Sequence, residues 1–321
     1  MADRVIIDTD TATDDTLAIL LAVLSDRVDV EALTIAAGNV AFDRQVENAK
    51  YTLDLADVAG EIPVYEGARS PLVKDHDHAT DVHGEGGLGP DLVPETDVPS
   101  AAGFGPEYIV EAAREHPGEI TLVCLAPLTN VALALEREPK LGELLADVVV
   151  MGGNVHSAGN VTPAAEFNVW ADPDAAKIVL DELAVTLVDW GLTLRDGTLD
   201  GSAEARITDA AGDSEFAAFY ETVFRPDAEG AGDDAYWAGT AQPDALASAV
   251  AVFPELIEQR EAAVVDVDER EGLTRGSTIV DTHGITDREP RTDVITSVDA
   301  DGFQELLLDT VVAGDPDRSF E

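Results

Sequence analysis

Positive charge is scarce in this 321-residue chain: 19 lysines and arginines stand against 65 aspartates and glutamates, for a formal net charge of −46. Four of the basic residues are lysines: Lys50, Lys74, Lys140 and Lys177. A field of that sign repels polyanions, which argues against nucleic acid or an anionic membrane as partner. The acidic residues are spread between strongly apolar segments, which excludes a disordered acidic tail. They suit a solvated shell adapted to a very salty cytoplasm. Cysteine occurs once, as Cys124, so no intrachain disulfide can form and a reducing interior is expected. Its setting, "ITLVCLAPL", reads as a buried strand, so the thiol is expected to pack and not to react. Aromatic residues make up only 5% of the chain, so its core must be mostly aliphatic. No apolar run approaches membrane-spanning length, and no basic segment precedes an apolar one at the start, so a soluble, cytoplasmic protein is expected.

What the chain does have is alternation. Segments reading as strands alternate with segments reading as helices for about two-thirds of the length, which argues for a single α/β domain over residues 1–321. The expected sheet is mainly parallel, doubly wound and Rossmann-like, with the site at the carboxyl ends of its strands. "RVIIDT" reads as a buried strand, residues 14–24 as a helix, "VEALTIAAGN" as a strand and residues 42–59 as a helix with Val46, Ala49, Leu53 and Ala56 on one face. "IPVYEG", "EITLVCLA", "DVVVMGG" and "AVTLVDW" read as further strands. Helices are expected at 106–116, from Leu128, over "DPDAAKIVLDE" and through much of 200–253. The tail offers two strands, "AAVVDVDE" and "STIVDTHG", and a closing helix, "DGFQELLLDTVV". Residues 68–103, rich in Gly, Pro, Asp and His, are too long for a simple connection and form a candidate lid or binding loop.

Asp8, Asp10, Asp14 and Asp15 crowd the junction of the first strand and its helix, the place where open parallel sheets bind ligands. Thr13 is the expected N-cap, and Asp14 and Asp15 would favour the helix's first turn. That accounts for two carboxylates and leaves Asp8 and Asp10 unexplained at a buried strand end. Four carboxylates in one small volume call for a cation, and hard oxygen ligands suit calcium or magnesium. The same string approximates the DxDx(T/V) motif of haloacid-dehalogenase-like phosphatases, although Ala12 replaces the Thr or Val and the Asp14–Asp15 pair lies outside that motif.

"DTDTATDD" also resembles the DTDPGxDD signature of inosine/uridine-type nucleoside hydrolases. Asn39 in "AAGNV", His83 in "HGEGGLG", "LAPLTNVALA", "VVVMGG" and "AEFNVWADPDAA" follow in that family's order, from the first strand to about Pro254. The resemblance implies calcium-dependent hydrolysis of ribonucleosides to free base and ribose by a metal-activated water. It implies side-chain calcium ligands at Asp10, Asp15 and Asp244, a backbone carbonyl ligand at Leu125, and Asp10 as the base that deprotonates the water. Asp14, Asn39, His83, Asn160, Glu166 and Asn168 would bind the substrate, and Asp8 would steady the loop from behind. The residue types suit the chemistry. An oxocarbenium-like ribose needs an activated water on one face and carboxylates near the developing positive charge. A cation lowers the pKa of water and can orient the ribose diol.

Two departures stand out. Thr11–Ala12 replaces the signature's Pro-Gly, a change shared by some members resembling this chain, and it removes no carboxylate. Pro243 stands where many members carry a histidine thought to protonate the departing base. Leaving-group help would then come from His83, from base contacts at Tyr236 or Trp237, or from solvent. Competing accounts are a calcium-dependent nucleoside or ribose binder without catalysis, and the phosphatase. Homo-oligomers, dimers or tetramers, follow from the family resemblance alone.

Overall fold

The computed structural model describes residues 3–224 and 241–320. Nine strands form one sheet: β1 (Asp3–Thr9), β2 (Val28–Ile35), β3 (Val64–Glu66), β4 (Ile120–Cys124), β5 (Asp147–Met151), β6 (Val185–Val188), β7 (Ile257–Val267), β8 (Thr278–Asp281) and β9 (Thr292–Val298). Their order is β3-β2-β1-β4-β5-β6-β9-β7-β8. From β3 through β9 all neighbours are parallel, whereas β7 runs antiparallel to both β9 and β8. The expected mainly parallel α/β architecture is the one observed.

Central strands are buried on both faces, which is why they read as unbroken apolar runs. In β1, Val5 and Ile7 join one core layer, with Leu17 to Ala22, while Ile6 joins the other, with Leu122 and Val150. This is the two-residue alternation of a strand covered by helices above and below. Cys124 is fully buried at the end of β4, as expected, and burial beside Asp8 pushes its thiol well up, away from reactive thiolate.

Several boundaries differ from expectation. The helix expected to reach Ala59 ends at Leu55, because Ala56 caps it and Asp57 turns into the left-handed region at φ 57°. Thr13 is not an N-cap: the first helix spans Thr13–Leu24, and its cap is Ala12, whose N–H donates to the Asp15 carboxylate at 2.9 Å. β9, "TDVITSV", is an unexpected strand. It lies between β6 and β7 and joins the parallel sheet to the antiparallel tail. The short helix Phe167–Ala171 is a second unexpected element, packed against the helix Pro173–Glu182 that follows it.

Two helices position the site. Thr13–Leu24, buried along most of its length, packs against Pro243–Val252, which is equally buried. Pro243 occupies the first helical position, where its missing N–H costs nothing and its fixed φ suits the helix. The packing places both helix N-termini at the carboxyl ends of the parallel strands. Among the described residues, no helix is long and apolar enough to cross a membrane.

Candidate active site

Each of the two N-termini carries acid in its first turn, Asp14 and Asp15 on one and Asp244 on the other. One carboxylate oxygen from each of these three lies within 4.8 Å of the others. Helix dipoles favour negative charge here, yet three such groups still repel one another. Burial and the charges of Asp14, Asp15 and Asp10 drive Asp244 well above the ordinary carboxylate range. Burial and Asp14 raise Asp15 to about 7.

Asp10 adjoins this trio. Burial and then the Asp15 charge hold its carboxyl far above the usual range. Its Oδ2 accepts the Asn39 backbone N–H at 2.8 Å, while its Oδ1 is buried without a hydrogen-bond partner, as is Asp14 Oδ1. Asp15 is held on both oxygens: Thr9 Oγ1 donates to Oδ1 at 2.5 Å, and Ala12 N and Asn39 Nδ2 donate to Oδ2 at 2.9 and 3.4 Å. Asp8 lies behind, its Oδ1 accepting from Thr34 Oγ1 at 2.5 Å and Asn130 Nδ2 at 2.7 Å. Burial raises Asp8 to about 7.

Unpartnered carboxylate oxygens beside a tight acidic trio are the donor set of a hard cation, and the residues present can hold a metal ion. The trio contains Asp15 and Asp244, both expected as ligands, together with Asp14, expected on the ribose; Asp10 is not one of the three.

A cavity of about 630 Å³ opens above the acids, a size suited to a small organic ligand. Asp14, Asn39, His83, Leu125, Asn160, Glu166, Asn168 and Asp244 all line it. The strand ends fix the floor: Leu125 N donates to Asp8 O at 2.8 Å, and Leu125 O accepts Asn168 Nδ2 at 2.6 Å. Glu166 caps the helix Phe167–Ala171. Its Oε1 accepts Asn168 N at 2.8 Å, and its Oε2 accepts Gly153 N at 2.8 Å and Val169 N at 3.3 Å. Burial raises Glu166 to about 7. Asn160 Oδ1 accepts Phe167 N at 2.9 Å. His83, buried in the short helix Thr80–His83, lies 2.6 Å from Thr13 Oγ1 through Nδ1, and 3.9 Å from Asp14 Oδ1. Burial lowers its pKa and favours the neutral ring.

Residues 68–103 contribute to this cavity through His78, Val82 and Pro90, among others. Lys74 Nζ sits 3.2 Å from the centre of the Trp170 ring, a cation–π contact that ties the segment to the cavity wall. Tyr236 and Trp237, expected against the base, lie outside the described residues. Sequence reasoning missed Thr13 as a cavity residue, and it missed Gly38 and His78. A Cβ on Gly38 would lie 1.7 Å from Asp10 Oδ2, so glycine is required for Asp10 to lie where it does. For His78 the signal was the His76-x-His78 pair within the polar stretch.

A sequence model described as inosine-uridine preferring nucleoside hydrolase matches residues 5–305. The chain is 35% identical over 317 residues to the pyrimidine-specific ribonucleoside hydrolase RihA of Citrobacter koseri, covering 96% of this chain and 98% of that protein. Among solved structures, a plant nucleoside hydrolase, the PpNRh1 enzyme, superposes with TM-score 0.87 at 31% identity, covering 98% of this chain and 100% of the other. A purine-preferring ribonucleoside hydrolase from Gardnerella vaginalis gives TM-score 0.84 at 28% identity, covering 97% and 98%.

Proposed function

This chain belongs to the inosine-uridine preferring nucleoside hydrolase family, and from that premise we propose that it hydrolyses the N-glycosidic bond of ribonucleosides in a calcium-dependent reaction. One observation carries the reading: Asp14, Asp15 and Asp244 bring carboxylate oxygens within 4.8 Å of one another, Asp14 and Asp244 line a cavity sized for a nucleoside, and Asp10 Oδ1 is buried without a hydrogen-bond partner. Asp10, Asp15, Asp244 and the Leu125 carbonyl would hold the ion, all of them hard oxygen donors that suit calcium. When bound, the cation lowers the pKa of a water and orients the ribose diol.

The protein's own groups do the rest. Asp10 Oδ1 takes the proton from the attacking water, since Oδ2 is occupied by Asn39 N–H. Asp14, Asn39 and Asn168 present polar atoms to the ribose hydroxyls, and the carboxylates stabilise positive charge developing on the sugar. Glu166 and Asn160 hold the loop that presents Asn168, through bonds to Asn168 N and Phe167 N. His83, tied to Thr13, contributes a neutral imidazole beside Asp14. Asp8 braces β1 against Thr34 and Asn130.

The base preference is a matter for measurement, because the named relatives divide between pyrimidine-specific and purine-preferring. The acidic shell is read as adaptation to high salt, and a cytoplasmic single-domain homo-oligomer, dimer or tetramer, belongs to the same proposal. The test is release of free base and ribose from inosine, adenosine, guanosine, uridine and cytidine in molar potassium chloride, with calcium or with chelator. Calcium-dependent release supports the reading, and the ranking assigns the base. Calcium binding with no product from any of the five favours a nucleoside-binding protein instead.

A further inference from the structure

Resting on the hydrolase reading above, we infer that His78 is the group that protonates the departing base. When the C1′–N bond breaks, its electron pair goes to the base, and a neutral nucleobase leaves far more readily if a proton arrives with it. The described lining of the cavity contains two imidazoles, His78 and His83, and no lysine or arginine. Pro243, which also lines the cavity, has no proton to give.

The two histidines are placed differently. His83 is buried, its Nδ1 engaged by Thr13 Oγ1 at 2.6 Å, and it stands beside Asp14 at the sugar end. His78 lies at the exposed rim, on backbone fastened directly to the catalytic floor. Ala79 N donates to Asn39 O at 2.7 Å, and His78 Nδ1 lies 3.3 Å from Gly38 O. Asn39 and Gly38 are the residues that position Asp10.

His78 Nδ1 is the ring nitrogen turned toward this backbone, within hydrogen-bonding reach of Gly38 O. His76 Nε2 lies 2.9 Å from the same nitrogen. Both contacts fall on Nδ1, so Nε2 is the nitrogen of His78 not committed to Gly38 or His76. Protonated, it donates to a ring nitrogen of the base as the C1′–N bond breaks. The water oxygen bonds to C1′ and gives its proton to Asp10. Base and ribose leave neutral, Asp10 releases its proton to solvent and His78 is reprotonated from it.

The test compares two substrates on the calcium-loaded full chain: the best nucleoside of the panel, and 4-nitrophenyl riboside, whose phenolate departs without a proton. His78→Gln, which keeps an amide able to donate to Gly38 O, should lower kcat on the nucleoside by about 10²-fold or more. Turnover of 4-nitrophenyl riboside should stay within about twofold, the sign that the lost step is leaving-group protonation. An equal fall on both substrates would overturn the assignment, because it would place His78 in support of Asp10. Unchanged nucleoside turnover would overturn it as well, leaving the hydrolase reading intact if the unaltered protein cleaves both substrates. If the unaltered protein cleaves neither, the hydrolase reading itself falls and this inference falls with it.

Discussion

The Asn39 backbone N–H donates to Asp10 Oδ2 at 2.8 Å, and this bond divides the two oxygens of one carboxylate between different tasks. Oδ2 fixes the side chain, and Oδ1 remains buried and unpartnered beside the acidic trio. An amide at this position can keep the first role and cannot perform the second. Asp10→Asn should therefore lower kcat by about 10²-fold to 10⁴-fold, the range lost with a general base. The fold should tolerate the change, since burial and the Asp15 charge already favour an uncharged group there. Product release and the thermal midpoint together check both halves, and wild-type turnover would sink the mechanism.

Gly38 offers a way to disturb Asp10 without altering any carboxylate. A Cβ at residue 38 would lie 1.7 Å from Asp10 Oδ2 and 2.8 Å from Asp10 Cβ, so Gly38→Ala must displace the aspartate or its own backbone. We expect at least a tenfold loss of kcat and about 1–3 kcal/mol of stability, the usual cost of overpacking a buried site. Denaturant unfolding read alongside turnover checks this. An active, fully stable Gly38→Ala would show that Asp10 need not lie where it does.

The contrast between Asp10 and Gly38 shows what the sequence could reveal. Asp8, Asp10, Asp14 and Asp15 were legible because four acids at the end of an apolar run are hard to explain by packing alone. β1, β4, β5 and β6 were legible because strands buried on both faces must be apolar throughout. Gly38 was silent because its role is the absence of a side chain beside a residue much earlier in the chain, a relation that exists only after β1 and β2 pair. β9 was overlooked because its buried and half-buried residues mix without a clean period: Thr292, Val294, Ile295 and Val298 are buried, and the residues between them are half-buried. Glu166 was legible as a substrate contact through the family resemblance, but its capping role was not, because a cap on a five-residue helix leaves almost no periodic signal.

Removing the cation should make stability depend on pH, with a definite sign. Asp15 and Asp8 titrate at about 7 in the fold against an ordinary value of 3.8, and Glu166 at about 7 against 4.5. The folded chain then binds more protons than the unfolded chain between about pH 4 and 7, so stability declines as pH rises through that window and levels off above it. Bound calcium favours the charged carboxylates near it and should remove much of the decline. Thermal midpoints at about pH 5.5 and 7.5, in chelator and in calcium, test this. A chelated protein that is more stable at the higher pH contradicts it.

Glu166 and Asp14 both line the cavity, and substitution should separate their roles. Both Glu166 oxygens accept backbone N–H groups, from Asn168, Gly153 and Val169. Glu166→Gln must turn an NH₂ group toward at least one of those donors, leaving a buried donor unsatisfied at about 1–3 kcal/mol. Its thermal midpoint should fall, and KM should rise because Asn168 loses its anchor. Asp14→Asn removes a like charge from the trio and leaves no backbone donor unpaired, so KM should rise with the thermal midpoint unchanged or higher. If Glu166→Gln instead raised KM at full stability, Glu166 would be a direct substrate contact and the capping bonds would be incidental. The joint fall in stability and binding is what separates a residue that builds the site from one that touches the sugar.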